Sequence, residues 1–350
     1  MLAAESKVAT KAITGSPNAI SNRSWKHLVE PVEPFLHAVT EQLLRQVHEF
    51  DPQIVPYAKY ALKGGGKHLR PTLVALAAGT LGKVTDAHVT AAVIIEMVHL
   101  ATLIHDDVID DAEIRRGRPT VAANWGSEIA VLFGDSLFAH ALKLSAGFPT
   151  PEICRAVAIA TKTVCAGEIL QTQHRGDFQF SRGEYFRVLE MKTAELFALS
   201  SELAAYLSGA STVHRAALRQ FGLAVGTAYQ VYDDCVDLFG SEAAAGKSLG
   251  TDLAKGKLTL PVLLLWERAT PGDRARIEVL VRNWTDGAAS EIRALLARYD
   301  TLAPSVESVH QYLEKARQML RAIPESHGCG ALLGLTKYLA RQTDSLIACA

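Results

Sequence analysis

From Trp25 onward, apolar residues return every three or four positions along almost the whole chain. That spacing puts them on one face of an α-helix. Val32, Phe35, Leu36, Val39, Leu43, Leu44 and Val47 set the pattern. Asp51-Pro52 breaks it and places Pro52 in the first turn of the next helix, where a missing N–H is tolerated. Gly64-Gly65-Gly66 ends that helix, Pro71 opens another toward Leu81, and Asp86 caps a long one running to about Asp111. Further helices are predicted over Ser127–Gly147, Pro151–His174, Ser181–Leu207 and Val213–Phe239. Thr259–Arg268, Gly272–Asn283, Ala288–Tyr299, Ser305–Ala322 and Ala331–Ala348 follow. Val, Ile and Thr are dispersed through these patterns and form no period-two strand. The fold class is therefore all-α. With no solenoid repeat and no Pro- or Ser-rich linker, residues 25–350 read as one helical domain. Many helices are apolar on most sides, which predicts a central bundle wrapped by outer helices.

Composition narrows the function classes. Thirty-six basic and 37 acidic residues leave a net charge of −1, so nothing points to nucleic acid as a partner. The longest apolar stretch, Ala91 to Ile104, is interrupted by Glu96 and His99 and is too short to span a bilayer. It reads as a buried core helix, and no transmembrane segment is expected. The five cysteines (Cys154, Cys165, Cys235, Cys329 and Cys349) are scattered without a C-x-x-C pair. They imply reduced thiols and a cytoplasmic location. Residues 1–24, rich in Ala, Ser, Thr and Lys with Glu5 as their single acid, read as a disordered extension. An organelle-targeting segment is the alternative.

The chemistry concentrates in two acidic clusters. His105-Asp106-Asp107-Val108-Ile109-Asp110-Asp111 closes the most apolar helix. Asp106, Asp107 and Asp110, at spacings of three and four, share a face within one turn. Like charges there repel, so an unliganded cluster at the end of a buried helix costs stability. Asp233-Asp234-Cys235-Val236-Asp237 repeats the spacing after a second apolar helix. One such triplet is ordinarily a solvated helix end. Two identical ones point to metal, and hard carboxylate oxygens suit Mg²⁺ shared with substrate phosphates.

Cations flank both clusters. Arg115 and Arg116 follow the first, and Lys247 and Lys257 follow the second with Asp252 between them. Lys67 and Arg70 stand at a loop-to-helix junction where free N–H groups also favour anions. Lys192 lies inside a helix. Each alone is a surface charge by default; together they describe a site for two diphosphate groups. His99 lies about two turns from Asp106 on nearly the same face, and Gln230 one turn before Asp233 and Asp234. Glu168 and Gln171 also share a face.

In their order, these motifs resemble the trans-isoprenyl diphosphate synthase family, and its octaprenyl- and solanesyl-type medium- to long-chain members in particular. They are Gly65-Gly66-Lys67-x-x-Arg70-Pro71, His105-Asp106-Asp107-x-x-Asp110 with Arg115-Arg116-Gly117, Gly167-Glu168 to Gln171, and Lys192-Thr193. Gln230-x-x-Asp233-Asp234-x-x-Asp237 and Gly256-Lys257-x-Thr259-Leu260-Pro261 complete the set. The resemblance covers residues 28 to 270 strongly and implies a helical bundle of the isoprenoid synthase type around a central apolar cavity. It implies a magnesium-dependent prenyltransferase joining isopentenyl diphosphate head-to-tail to farnesyl or geranylgeranyl diphosphate, for example to build quinone side chains. Two to three Mg²⁺ ions would be held by Asp106, Asp107, Asp110, Asp233, Asp234 and Asp237. Arg115, Lys192, Lys247 and Lys257 would contact the allylic diphosphate, and Lys67, Arg70, His99 and Arg116 the isopentenyl diphosphate. Lys192, Thr193 and Gln230 would line the developing carbocation. Cys235, Val236 and Tyr229 depart from the commonest family residues without removing a ligand. The family also implies a homodimer and a transient membrane contact for product release.

Product length in the family depends on the residues four and five before the first aspartate, here Thr102 and Ala101. Both are small, which predicts growth past fifteen carbons onto a floor formed by residues such as Val98, Leu132 or Phe138. Geranylgeranyl diphosphate synthase is the alternative. A class I terpene cyclase fits less well, because it has no use for Lys67, Arg70 and His99.

Overall fold

The computed structural model describes residues 25–63, 66–240 and 250–349. The N-terminal extension, Gly65 and Lys247 lie outside the described residues. After a short helical lead-in, α1 (Glu33–Val47) buries Phe35, Val39, Leu43 and Val47, as its four-residue spacing requires. α2 (Val55–Leu62) starts later than expected. The Asp51 carboxylate takes the Gln53 N–H in a tight turn, and Pro56 rather than Pro52 occupies the first helical turn. α3 (Leu69–Gly79) and α4 (Asp86–Ile109) follow. Thr85, not Asp86, caps α4, sharing a capping box with His88.

Four helices, α1, α3, α6 (Ser127–Ala146) and α9 (Glu195–Leu207), pack around α4. Enclosure on all sides explains why α4 is apolar all round. α4 and α6 are long and apolar enough, by length and composition, to cross a membrane, where the sequence reading expected no such helix. Between α4 and α6 the chain makes a small antiparallel hairpin, β1 (Ile114–Arg115) with β2 (Arg118–Pro119), and the short helix α5 (Val121–Trp125). Arg116 and Gly117 form its turn, both at positive φ (52° and 71°). Four residues are too few to show alternation in the sequence.

The segment expected as one helix over 181–207 is three pieces. α8 (Arg182–Leu189), capped by Ser181, runs into a π-helical turn at Glu190–Ala194 and then into α9. The turn is held between α7 (Pro151–Gln173) and α10 (Thr212–Phe239). Two glycines make this approach possible. A Cβ on Gly167 of α7 would sit 2.7 Å from the Lys192 nitrogen, and one on Gly226 of α10 would sit 2.7 Å from the Ala194 Cα. Among the described residues that follow, the helices are α11 (Thr251–Ala254), α12 (Leu260–Arg268), α13 (Pro271–Arg282), α14 (Asp286–Arg298), α15 (Leu302–Leu320) and α16 (His327–Cys349). α15 packs along α10, and α12 covers its end, so α10 too is enclosed. Both helices that end in the aspartate clusters are thus packed among other helices.

Gly226→Ala is expected to cost about 1–3 kcal/mol by forcing backbone apart. A urea-melt midpoint equal to that of the wild type would show that the π-turn yields freely.

Candidate active site

α4, α7, the π-turn, α10 and the 250–257 segment enclose one cavity of about 1440 Å³. Its mouth is charged. Asp106 and Asp110 line it from the end of α4, and Asp233 and Asp252 face them from α10 and α11. Arg115 and Arg116 reach it from the hairpin, and Lys67 and Arg70 from the start of α3. Lys192 and Thr193 come from the π-turn, and Gln230 and Tyr229 from α10.

The first cluster is neutralised by cations from other elements. Asp110 accepts from Arg175 at 2.7 Å and from Lys257 at 2.7 Å, with Lys255 at 3.4 Å. Asp107 accepts from the Arg115 Nε at 2.7 Å. Lys192 lies 3.7 Å from Asp106, donates to Gln171 at 2.8 Å and pairs with Glu168. The shared face of Glu168 and Gln171 is thus the cradle of Lys192. Arg175, Lys255 and Asp252 were not singled out as site residues from sequence. Lys255 and Asp252 sit in the Gly-rich stretch that also carries Lys257, but Arg175 has no motif to mark it. Its loop reaches the site because the Gly176 N–H bonds to the Gly256 carbonyl at 2.8 Å.

Burial pushes the Asp106 carboxyl up to about 6, Lys192 pulling it down and Glu168 adding to the push. Burial also raises Asp107 against the pull of Arg115. At Asp110 burial acts the same way, but the hydrogen bond and charge of Lys257, with Lys255 and Lys192, outweigh it and leave the carboxyl below its usual range. His99 falls well below its ordinary value, first through burial and then through Arg70, Arg116 and Arg115. It is therefore a neutral hydrogen-bonding group among cations.

The second cluster does not mirror the first. Asp233 lines the cavity, but Asp234 and Asp237 do not. Asp234, 100° further round α10, is 3% exposed and turned toward α8. Its two oxygens accept from Tyr185 (2.6 Å) and Gln230 (2.8 Å). Asp237 is 1% exposed and caps the short helix α11, accepting from the Thr251 hydroxyl at 3.1 Å and the Asp252 N–H at 3.3 Å. Identical spacing therefore serves two purposes: the start of α11 is bonded to the end of α10, whereas the end of α4 lines the cavity.

The chain-length positions also separate. Thr102 and Phe138 line the cavity, with Val164, Cys165 and Ile169. Ala101 is fully buried against α6 and does not line it. Val98 is buried in the main core, and Leu132 is 64% exposed on the outer face of α6, so neither forms the floor. At the opposite end, His68 holds a left-handed conformation (φ 45°) at the start of α3, its imidazole 3.5 Å from Glu96. Gly66 lets the Arg116 guanidinium lie against this loop, since a Cβ there would meet it at 3.1 Å.

Among the described residues, no three carboxylate, thiol or imidazole groups converge tightly enough to hold an ion alone. Carboxylates on two facing walls instead fit a hard cation completed by phosphate oxygens and water. The Nε donors of Arg70 and Arg175 are buried without a partner, which fits an anionic ligand.

The chain matches the family described as polyprenyl synthetase over residues 51–298. It is 33% identical over 309 residues to the octaprenyl diphosphate synthase of Haemophilus influenzae, covering 88% of this chain and 94% of that one. A crystal structure of a decaprenyl diphosphate synthase from Rhodobacter capsulatus superposes with a TM-score of 0.84 at 31% identity, covering 90% of this chain and 98% of that one. A polyprenyl synthase from Caulobacter crescentus CB15, complexed with calcium and isoprenyl diphosphate, gives 0.85 at 32% identity, covering 91% and 97%.

Asp106 titrates near 6 in the folded chain against an ordinary value of 3.8. The folded state thus holds the proton more tightly, and ionisation removes stability as pH rises from 3.8 through 6. At ~1.4 kcal/mol per unit, the loss is roughly 3 kcal/mol. In chelator-treated protein, Asp106→Asn should melt above the wild type at pH 8, and the advantage should vanish by pH 4. A variant that melts at or below the wild type at pH 8 would mean that Lys192 needs this partner more than burial penalises it.

Proposed function

This chain belongs to the polyprenyl synthetase family and is a trans-polyprenyl diphosphate synthase, a prenyltransferase with a medium- to long-chain product; on that premise we propose how its residues divide the work. Asp106, Asp110 and Asp233 would hold magnesium ions beside the allylic diphosphate, where magnesium would supply Lewis-acid charge to the departing group. Lys192, Lys257 and Arg115 then turn from the aspartates to the diphosphate oxygens, adding charge where negative charge develops. Lys67, Arg70 and Arg116, with neutral His99, bind isopentenyl diphosphate. The allylic C–O bond breaks, the double bond of isopentenyl diphosphate attacks the allylic carbon, and a C–C bond forms. The released diphosphate takes the proton lost from the adjacent carbon, restoring a double bond. Thr193 and Gln230 present oxygen to the cationic carbons between the two anion sites. The apolar wall of Thr102, Phe138, Val164 and Ile169 keeps water from the cation and receives the growing hydrocarbon.

The observation that carries this reading is the presence, in one cavity, of facing aspartate walls and of a second set of cations, Lys67, Arg70 and Arg116. A cyclase, which uses one diphosphate, has no work for the second set. We further propose a homodimer joined through the outer faces of α6 and α7. Leu132 (64% exposed) and Ile159 (55%) stand out there as large apolar residues in water, which supports association through this face.

Two outcomes follow. Purified protein given Mg²⁺, labelled isopentenyl diphosphate and farnesyl diphosphate should yield products longer than the geranylgeranyl chain. Thr102→Phe should shorten them; unchanged lengths would place the limiting wall elsewhere, and no incorporation by folded wild type would sink the reading. Light scattering should give about twice the chain mass for the wild type and a monomer for Leu132→Glu combined with Ile159→Glu. An unchanged mass would move the interface to another face.

A further inference from the structure

Tyr185 lies outside the cavity and belongs to none of the motifs. It is 3% exposed, on α8, and its hydroxyl donates to Asp234 at 2.6 Å. The Leu260 backbone at the start of α12 also reaches the phenol oxygen. Asp234 passes the constraint on. Its other oxygen accepts from the Gln230 Nε2 at 2.8 Å, and the Gln230 Oε1 accepts from the Thr193 hydroxyl at 3.0 Å. Both Asp234 oxygens are thus taken up as acceptors, one by the Tyr185 phenol and the other by the Gln230 amide. In this chain of bonds the Gln230 amide turns its NH₂ toward Asp234 and its oxygen toward Thr193.

We infer that Tyr185 is a positioning residue: through Asp234 it fixes the Gln230 amide so that oxygen, not NH₂, faces Thr193 and the reacting carbons. The inference rests on the proposed place of Gln230 and Thr193 beside the allylic cation. An amide oxygen and a hydroxyl oxygen present negative dipole ends to that cation. A flipped amide presents hydrogens with partial positive charge, and the Thr193 proton then turns into the cavity. A dipole fixed before the reaction stabilises developing charge without reorganising at that moment. The group that fixes it therefore acts on turnover rather than on diphosphate binding. The relay also gives Asp234 a part in the site although it is shut away from the cavity: its two oxygens tie the Tyr185 phenol to the Gln230 amide.

The test uses the full chain and steady-state kinetics with farnesyl diphosphate and isopentenyl diphosphate. Tyr185→Phe keeps the buried ring and removes only the hydroxyl. It is expected to lower kcat tenfold or more and to leave both KM values within threefold. Tyr185→Phe combined with Asp234→Leu removes both partners, so neither is left buried without the other; it should melt near the wild type and show the same loss of kcat. In a Gln230→Ala background, adding Tyr185→Phe should cost less than twofold, because the group it orients is gone. If Gln230→Ala itself leaves kcat unchanged, the placement of Gln230 beside the cation is wrong, and this inference falls with it. If Gln230→Ala lowers kcat but both Tyr185 variants stay within twofold of the wild type, or if the Tyr185 and Gln230 effects simply multiply, Tyr185 is only a packing residue.

Discussion

Carboxylates at the ends of buried helices are tolerable only if positive charge reaches them from somewhere else in the chain. That constraint organises this protein. α4 is enclosed by apolar helices and ends in three aspartates, and none of them is neutralised by a cation of α4 itself. Arg115 comes from the hairpin, Lys192 from the π-turn, Arg175 from the end of α7, and Lys255 and Lys257 from the segment after α11. Closing the site and completing the tertiary fold are therefore one event, because these ion pairs hold segments distant in sequence together.

Periodicity carried most of the fold because burial and helical register obey one rule. The helices appear close to where apolar spacing puts them, and capping residues move the ends by a few positions. Among the features that escaped, three have a plain local reason. The hairpin at Ile114–Pro119 depends on two positive-φ residues, Arg116 and Gly117, and is too short to alternate. The π-turn has no composition of its own: Glu190-Met191-Lys192-Thr193-Ala194 reads as ordinary helix, and only Gly167 and Gly226, far away in sequence, permit it. Arg175 reaches Asp110 through a loop-to-loop backbone bond that no spacing foretells.

The second aspartate cluster shows where spacing alone misleads. Both clusters put three carboxylates within one turn, but what covers the helix decides their use. At α4 the end opens into the cavity. At α10, α8 and the start of α11 close over two of the three, leaving Asp233 at the cavity and turning Asp234 and Asp237 into internal struts. Neighbouring positions on α4 separate in the same way. Thr102 lies on the cavity wall, and Ala101, a 100° step away, lies in the α6 interface. Small side chains at both positions look equivalent in sequence, yet only one borders the space a hydrocarbon can enter.

The π-turn has a consequence for how this site is encoded. A π-bulge is a helix carrying one residue more than its regular ladder needs, and each residue turns a helix by about 100°. Spread over a wider turn, the surplus residue adds little net rotation, so α8 and α9 keep a common phase, and Tyr185 on one side and Phe197 on the other both face α10. Removing one residue from Glu190–Ala194 would therefore leave the flanking packing in register and take away only the bulge that carries Lys192 and Thr193. The irregularity is a local displacement of two active-site side chains on an otherwise continuous helical frame.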